Sequence, residues 1–118
     1  MKDKRRFKLF LEDIIQSIEK IEEYISGLSY KDFVERGLII DAVVRNLEII
    51  GEASKRIPIN IRESYSEIPW RRMIGLRNIV THEYFGIDLN IIWTIVTVNL
   101  PETKPMIEAI LKAVKDQN

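Results

Sequence analysis

A single histidine, His82, follows Arg77 by five residues and precedes Tyr84 by two, in the stretch Arg77-Asn78-Ile79-Val80-Thr81-His82-Glu83-Tyr84. Imidazole is the side chain whose charge changes nearest neutral pH, and a guanidinium fork matches the oxygens of a phosphoryl group. Together they suit metal-free cleavage of RNA, in which the 2′-hydroxyl attacks the adjacent phosphorus and leaves a cyclic phosphate and a free 5′-hydroxyl. That reaction needs a base for the nucleophile, a cation for the phosphoryl oxygens and an acid for the leaving oxygen. Neutral imidazole fills the first role, imidazolium the third and guanidinium the second. One chain supplies one histidine, whereas a symmetric dimer supplies two, with two copies of Arg77.

The motif needs a helix to carry it. Ile68-Pro69-Trp70-Arg71-Arg72 offers a proline at a first helical position, and Phe85-Gly86 offers a glycine at a helix end. The motif is therefore expected on the last turns of a helix. At about 100° per residue, Asn78 and His82 share one face, Arg77 and Tyr84 share another, and His82 projects about 140° away from Arg77. A common site requires either that the helix ends near His82 and turns the ring back, or that a second copy completes it. Arg77 is expected in the sector of Trp70, Met73, Leu76 and Val80, where a charge is costly unless paired or held at an interface.

Plainer roles exist for the same residues. A histidine near a helix end serves as a cap or as a favourable charge, and Tyr84 can be a half-buried aromatic on the stripe of Val80 and Met73. Glu83 is expected to face solvent. Asn46, on an apolar face, needs hydrogen-bond partners and reads equally as a core amide or a site residue.

The pattern as a whole resembles the R-x4-6-H motif of the HEPN ribonucleases, with four intervening residues and the polar Asn78 directly after the arginine. The trailing Tyr84 makes it R-x4-H-x-Y, which is similar to the HepT toxins. The stretches Asp41–Ala53 and Ile68–Arg77 resemble that family's second and third helices, and Ile87-Asp88 with Ile91-Ile92-Trp93 resembles the start of its fourth. The resemblance implies a HEPN-like bundle and a metal-independent endoribonuclease whose composite site lies at a homodimer interface, higher assemblies of such dimers remaining open. It implies Arg77 and His82 as catalytic residues and Asn78 as support, its amide spaced to orient the ring. Its further implication is a partner, a minimal nucleotidyltransferase antitoxin of the MntA type, which adenylylates Tyr84 and silences the toxin. The competing reading is a non-catalytic helical subunit that docks a nucleotidyltransferase. The two differ in whether His82 moves a proton.

Length and composition agree with one domain over residues 1–118 of this size. Hydrophobic residues make up 46% and charged residues 31%, as in ordinary globular proteins. No cysteine is present, which excludes disulfides and thiolate metal sites, and a single histidine makes a transition-metal cage improbable. No cofactor or metal is expected, although carboxylates remain able to hold magnesium. The formal net charge of zero gives no global attraction to nucleic acid, but Lys2, Lys4, Arg5, Arg6 and Lys8 cluster at the start and Arg71, Arg72 and Arg77 in the motif helix. The first cluster has a single interleaved aromatic, Phe7, which belongs to an apolar seam, and the cluster reads as a solvated helix start. No apolar run is long enough to span a membrane, and a cytoplasmic location is the default expectation.

Periodicity predicts an all-α single-domain bundle of four to five helices. Phe7, Leu11, Ile14, Ile18, Ile21 and Ile25 form one seam that Gly27 ends. A second helix is predicted from Gly37 to Ile57, stopped by Pro58, with Ile39, Val43, Leu47, Ile50, Ala53 and Ile57 inward. Asp41, Arg45, Glu48, Glu52 and Arg56 form its solvated, ion-paired stripe and are assigned no catalysis. Asp88 is placed to cap the helix after the motif, Asn99-Leu100-Pro101 is expected to break that helix, and Met106, Ile107, Ile110, Leu111 and Val114 mark a last one. The apolar faces are wide enough that self-association is plausible, and Gly51 inside a helix implies close backbone approach, between copies or within one chain.

Overall fold

The first apolar seam fixes the centre of the molecule. Leu11, Ile14, Ile18 and Ile21 are fully buried and Phe7 nearly so, all along α1 (Lys2–Ile25). Each such side chain contributes roughly 1.5–3 kcal/mol on burial, so this stripe alone anchors the helix to its neighbours. The computed structural model describes residues 2–82 and 88–116, with the side chains of 2–5 and 79–82 outside that description. The expectations for Glu83, Tyr84, Gly86 and the ring of His82 lie outside the described residues.

Gly27 ends α1 in a left-handed conformation, φ 77°, that a side chain would strain. A single-turn helix, α2 (Tyr30–Val34), follows. Ser29 and Asp32 cap it reciprocally, each side chain accepting from the other's backbone N–H at 3.1 Å. The Ser29 backbone bond, with the Ser29 hydroxyl second, holds the Asp32 carboxyl below its ordinary range. Phe33 from this turn is fully buried and meets Trp93 with ring centroids 5.1 Å apart.

The long middle helix, α3 (Gly37–Lys55), stops two residues before the expected end, with the Arg56 and Ile57 N–H groups donating to the Ala53 and Ser54 carbonyls at 3.1 and 3.2 Å. Val43, Leu47, Ile50, Ala53 and Ile57 are buried as the pattern predicts, while Ile39 is half-buried. Pro58 then begins a second short helix, α4 (Ile59–Ser64), and the motif helix is α5 (Trp70–His82). The indole N–H of Trp70 donates to the Tyr65 carbonyl at 3.1 Å, tying the connector to the helix it introduces.

Asp88 caps α6 (Leu89–Thr94) by accepting from the Asn90 N–H at 2.9 Å. The predicted break at Asn99-Leu100-Pro101 does not occur. A π-helical turn over Ile95–Asn99 leads straight into α7 (Leu100–Asp116), with the Leu100 N–H bonded to the Ile95 carbonyl. A proline lacks the N–H of the regular ladder and crowds the carbonyl four residues back. The wider turn relieves that crowding, so the chain continues as helix. Thr97 and Thr103 hydroxyls donate to the Trp93 and Asn99 carbonyls at 2.6 and 2.8 Å in the same region.

Helices α1 and α3 lie at the middle, with α5 against α3 and α7 against α1. Lys104 of α7 reaches Glu22 and Glu19 of α1 at 3.2 and 3.5 Å. Burial pulls its pKa down, but those two carboxylates outweigh burial and leave it raised. No strand occurs among the described residues, and none of the described helices is long and apolar enough to cross a membrane. The architecture is all-α and HEPN-like, with two single-turn helices beyond those that periodicity detects.

Gly51 explains how α3 and α5 come so close. A methyl group there would lie 3.0 Å from the Arg77 backbone nitrogen and 3.2 Å from its Cβ. Alanine improves helix propensity by up to about 1 kcal/mol, but the atom it meets is backbone and cannot swing away. Overpacking of this kind costs about 1–3 kcal/mol. Gly51→Ala is therefore expected to lower stability, read as a lower urea midpoint with an unchanged slope; a midpoint at or above that of the wild type would show that the helices have room to spare.

Candidate functional site

The geometry around Arg77 begins with that glycine. With no side chain at position 51, the α3 backbone sits against the first atoms of Arg77, and the rest of the arginine is directed outward along α3. There its guanidinium forms an ion pair with Glu52, the next residue of α3. Trp70, Met73 and Leu76 occupy the buried face of α5, but the Arg77 side chain is 54% exposed. The expectation that Arg77 shares their buried sector is corrected on this point: it stands at the sector's edge, and close approach of α3 pushes it into solvent. The charge is thus both accessible and held.

An exposed pair such as Arg77–Glu52 contributes only about 0–1 kcal/mol to stability. Its consequence is orientation, since one carboxylate confines a long side chain that would otherwise sample many rotamers. Glu52 belongs to the stripe assigned to solvated pairing along α3, and the structure turns it across to α5 instead. Nothing in the spacing of acids on α3 announces this. The available signal is Gly51 beside it, which marks where another backbone comes near.

Asn78 follows Arg77 on α5 and is exposed. His82 is the last described residue of α5, five positions after Arg77 on the same helix. Tyr84 lies outside the described residues. Asn46 is 4% exposed and donates to the Ala42 carbonyl of its own helix at 2.9 Å, leaving its Oδ1 without a partner among the described residues. No group of three acidic or histidine side chains able to hold a metal ion occurs among the described residues.

A groove of about 650 Å³ opens between α5 and the start of α7. Met73, Leu76, Leu100 and Met106 give it an apolar lining, with Glu67, Arg72 and Glu102 also bordering it. Arg77 and Asn78 are not part of that lining. Arg77 is exposed on the α3 side of α5, outside that groove.

Comparison with known proteins bears on the whole chain. A family model described as ribonuclease HepT-like matches residues 14–110. A protein of Methanocaldococcus jannaschii, named as a candidate RNase, is 43% identical over 91% of this chain and 98% of its own length. A protein of Thermococcus cleftensis, named as a probable ribonuclease HepT, is 42% identical over 92% of this chain and 99% of its own. A third, from Caldanaerobacter subterraneus and named as a candidate RNase, is 41% identical over 90% and 95%. No solved structure matches the chain. The match extends from α1 into α7 and so takes in the glycine contact, the ion pair and the motif helix together: the chain belongs to the HepT-like ribonucleases of the HEPN superfamily.

Proposed function

We propose that this chain is a metal-independent endoribonuclease toxin whose site is completed by a second copy, with Arg77 and His82 as its catalytic residues. The observation that carries the reading is the exposed Arg77 guanidinium, held by Glu52 and five residues ahead of His82 on α5. In this mechanism one His82 imidazole takes the proton of the 2′-hydroxyl as the new oxygen–phosphorus bond forms. The bond from phosphorus to the 5′-oxygen breaks, and the imidazolium of the other copy protonates that oxygen. Arg77 holds the phosphoryl oxygens, where charge builds, and exchanges part of its contact with Glu52 for the substrate. Asn78, one turn before His82, orients the ring.

The reading extends to control. A cognate nucleotidyltransferase attaches AMP to Tyr84, two residues from His82, and the added phosphate competes for Arg77 and repels RNA. No change of fold is needed for that inhibition.

Purified protein is expected to cut single-stranded RNA to 2′,3′-cyclic phosphate ends in the presence of chelator. His82→Ala should lower the rate by about 100- to 10,000-fold, with a comparable loss for Arg77→Ala. Activity that survives His82→Ala, or that chelator abolishes, would remove this mechanism and favour a binding subunit.

Light scattering at micromolar concentration should give the mass of a dimer or a multiple of it. A mixture of His82→Ala with wild-type protein should lose activity faster than dilution requires, because mixed pairs lack one proton carrier; strictly proportional loss, or a monomer only, speaks against a shared site.

Incubation with a cognate nucleotidyltransferase and ATP should add AMP to Tyr84, located by peptide mapping, and stop cleavage. Tyr84→Phe keeps the ring and should escape modification. AMP found only elsewhere, or full cleavage by the modified protein, would refute this form of control.

A further inference from the structure

A second pocket, about 570 Å³, lies where the start of α1, the end of α3, the α4 connector and the end of α7 meet. Arg6, Phe10, Arg56, Asn60 and Tyr65 line it, over an apolar floor that includes the fully buried Ile110. Pockets of this volume accommodate small organic ligands. No carboxylate lines it among the described residues, although the chain has as many acidic as basic residues. Neither Arg6 nor Arg56 has a carboxylate partner among the described residues, and the Arg56 guanidinium lies over the Phe10 ring, 5.7 Å from its centroid. Phe10 and Tyr65 are half-buried, each with ring surface left to cover. The aromatic rings beside this basic helix start are supplied by Phe10 of α1 and by Tyr65 of the connector.

Two guanidinia without an ion pair among the described residues, beside half-exposed aromatic rings, match one ligand chemistry, a flat base joined to a phosphate. We propose that this pocket is a nucleotide subsite, with the base against Tyr65 and Phe10, the phosphate between Arg6 and Arg56, and the exposed Asn60 amide at the base edge. The side facing Arg77 is acidic. Asp13, Glu48 and Glu52 border the adjoining shallow groove together with Phe10 and Arg56, so the phosphate must lie on the Arg6 side of Arg56. Arg56 follows Glu52 by one helical turn, about 6 Å along α3, and Glu52 holds Arg77. A strand whose scissile phosphate sits at Arg77 can therefore present a flanking nucleotide to this pocket, a placement that rests on the ribonuclease reading. The alternative source of the same chemistry is a free mononucleotide.

The test is fluorescence anisotropy of full-length protein with a labelled single-stranded RNA oligonucleotide, together with calorimetric titration of AMP, UMP and inorganic phosphate. Arg56→Glu and Arg56→Gln should each weaken RNA binding, the first by about tenfold or more, and Tyr65→Ala by about tenfold. Arg36→Glu, which makes the same charge change at the far end of α3, should change it little. Circular dichroism checks that each variant folds. Binding of AMP or UMP, but not phosphate, that is lost in the same variants assigns the pocket to free nucleotide as well; loss of RNA binding alone assigns it to the strand. RNA and mononucleotide affinities in Arg56→Gln and Tyr65→Ala that equal those of Arg36→Glu would overturn the subsite. Cleavage separates the two readings: if the wild type cuts RNA while those affinities stay unchanged, the subsite fails alone, and if the wild type cuts nothing, the binding data still decide the subsite.

Discussion

The contact between α3 and α5 at Gly51 is the constraint on which the rest of the site depends. Two helices usually pack with 8–10 Å between axes, a distance set by the side chains at the contact. Here one of those side chains is absent, and the Arg77 backbone nitrogen occupies the space a Cβ would take. The closeness does two things at once. It brings Glu52 within reach of the guanidinium, and it denies that guanidinium a place in the interior, so the charge is presented to solvent without being loose. A larger residue at position 51 would move the whole of α5 relative to α3, and with it the direction in which Arg77 leaves the helix.

The remaining helices hold this pair in place. α1 fills the core with a stripe of fully buried isoleucine and leucine and packs on both α3 and α7. α7 is joined to α6 by a π-helical turn at which Pro101 is accommodated, so the last third of the bundle keeps one helical course where a break would have produced a loop. That continuity leaves an apolar groove beside α5, away from Arg77. The two sides of α5 thus differ in kind, one carrying charge in contact with α3 and the other bordering an open apolar surface.

Charge in this protein is informative only locally. The formal net charge is zero, yet individual cations have distinct neighbours: Arg77 against a carboxylate, Arg56 over an aromatic ring, the half-buried Lys104 between two glutamates. Lys104 fastens α7 to α1, whereas Arg56 lies over the Phe10 ring and forms no ion pair among the described residues. A sum over the chain hides these differences, because the field at a surface depends on which groups lie within a few ångströms.

By itself the sequence determined the helical class, the inward stripes of α1, α3 and α7, the caps at Asp88 and Gly27, and the position of Arg77 and His82 on one helix. These are local matters, fixed by residue spacing at the helical repeat and by side chains bonding to nearby backbone. The single-turn helices escaped that reading because one turn contains no repeat to detect, although Ser29 and Asp32 carried the capping pattern. The expected break at Pro101 failed because a proline removes a bond only from the regular ladder, and a π turn changes the ladder. Only the tertiary structure decided that Gly51 serves packing within one chain, that Glu52 leaves its own helix to hold Arg77, and that Arg77 stands outside the core. Each depends on how two distant segments approach, a distance that no spacing along one helix encodes.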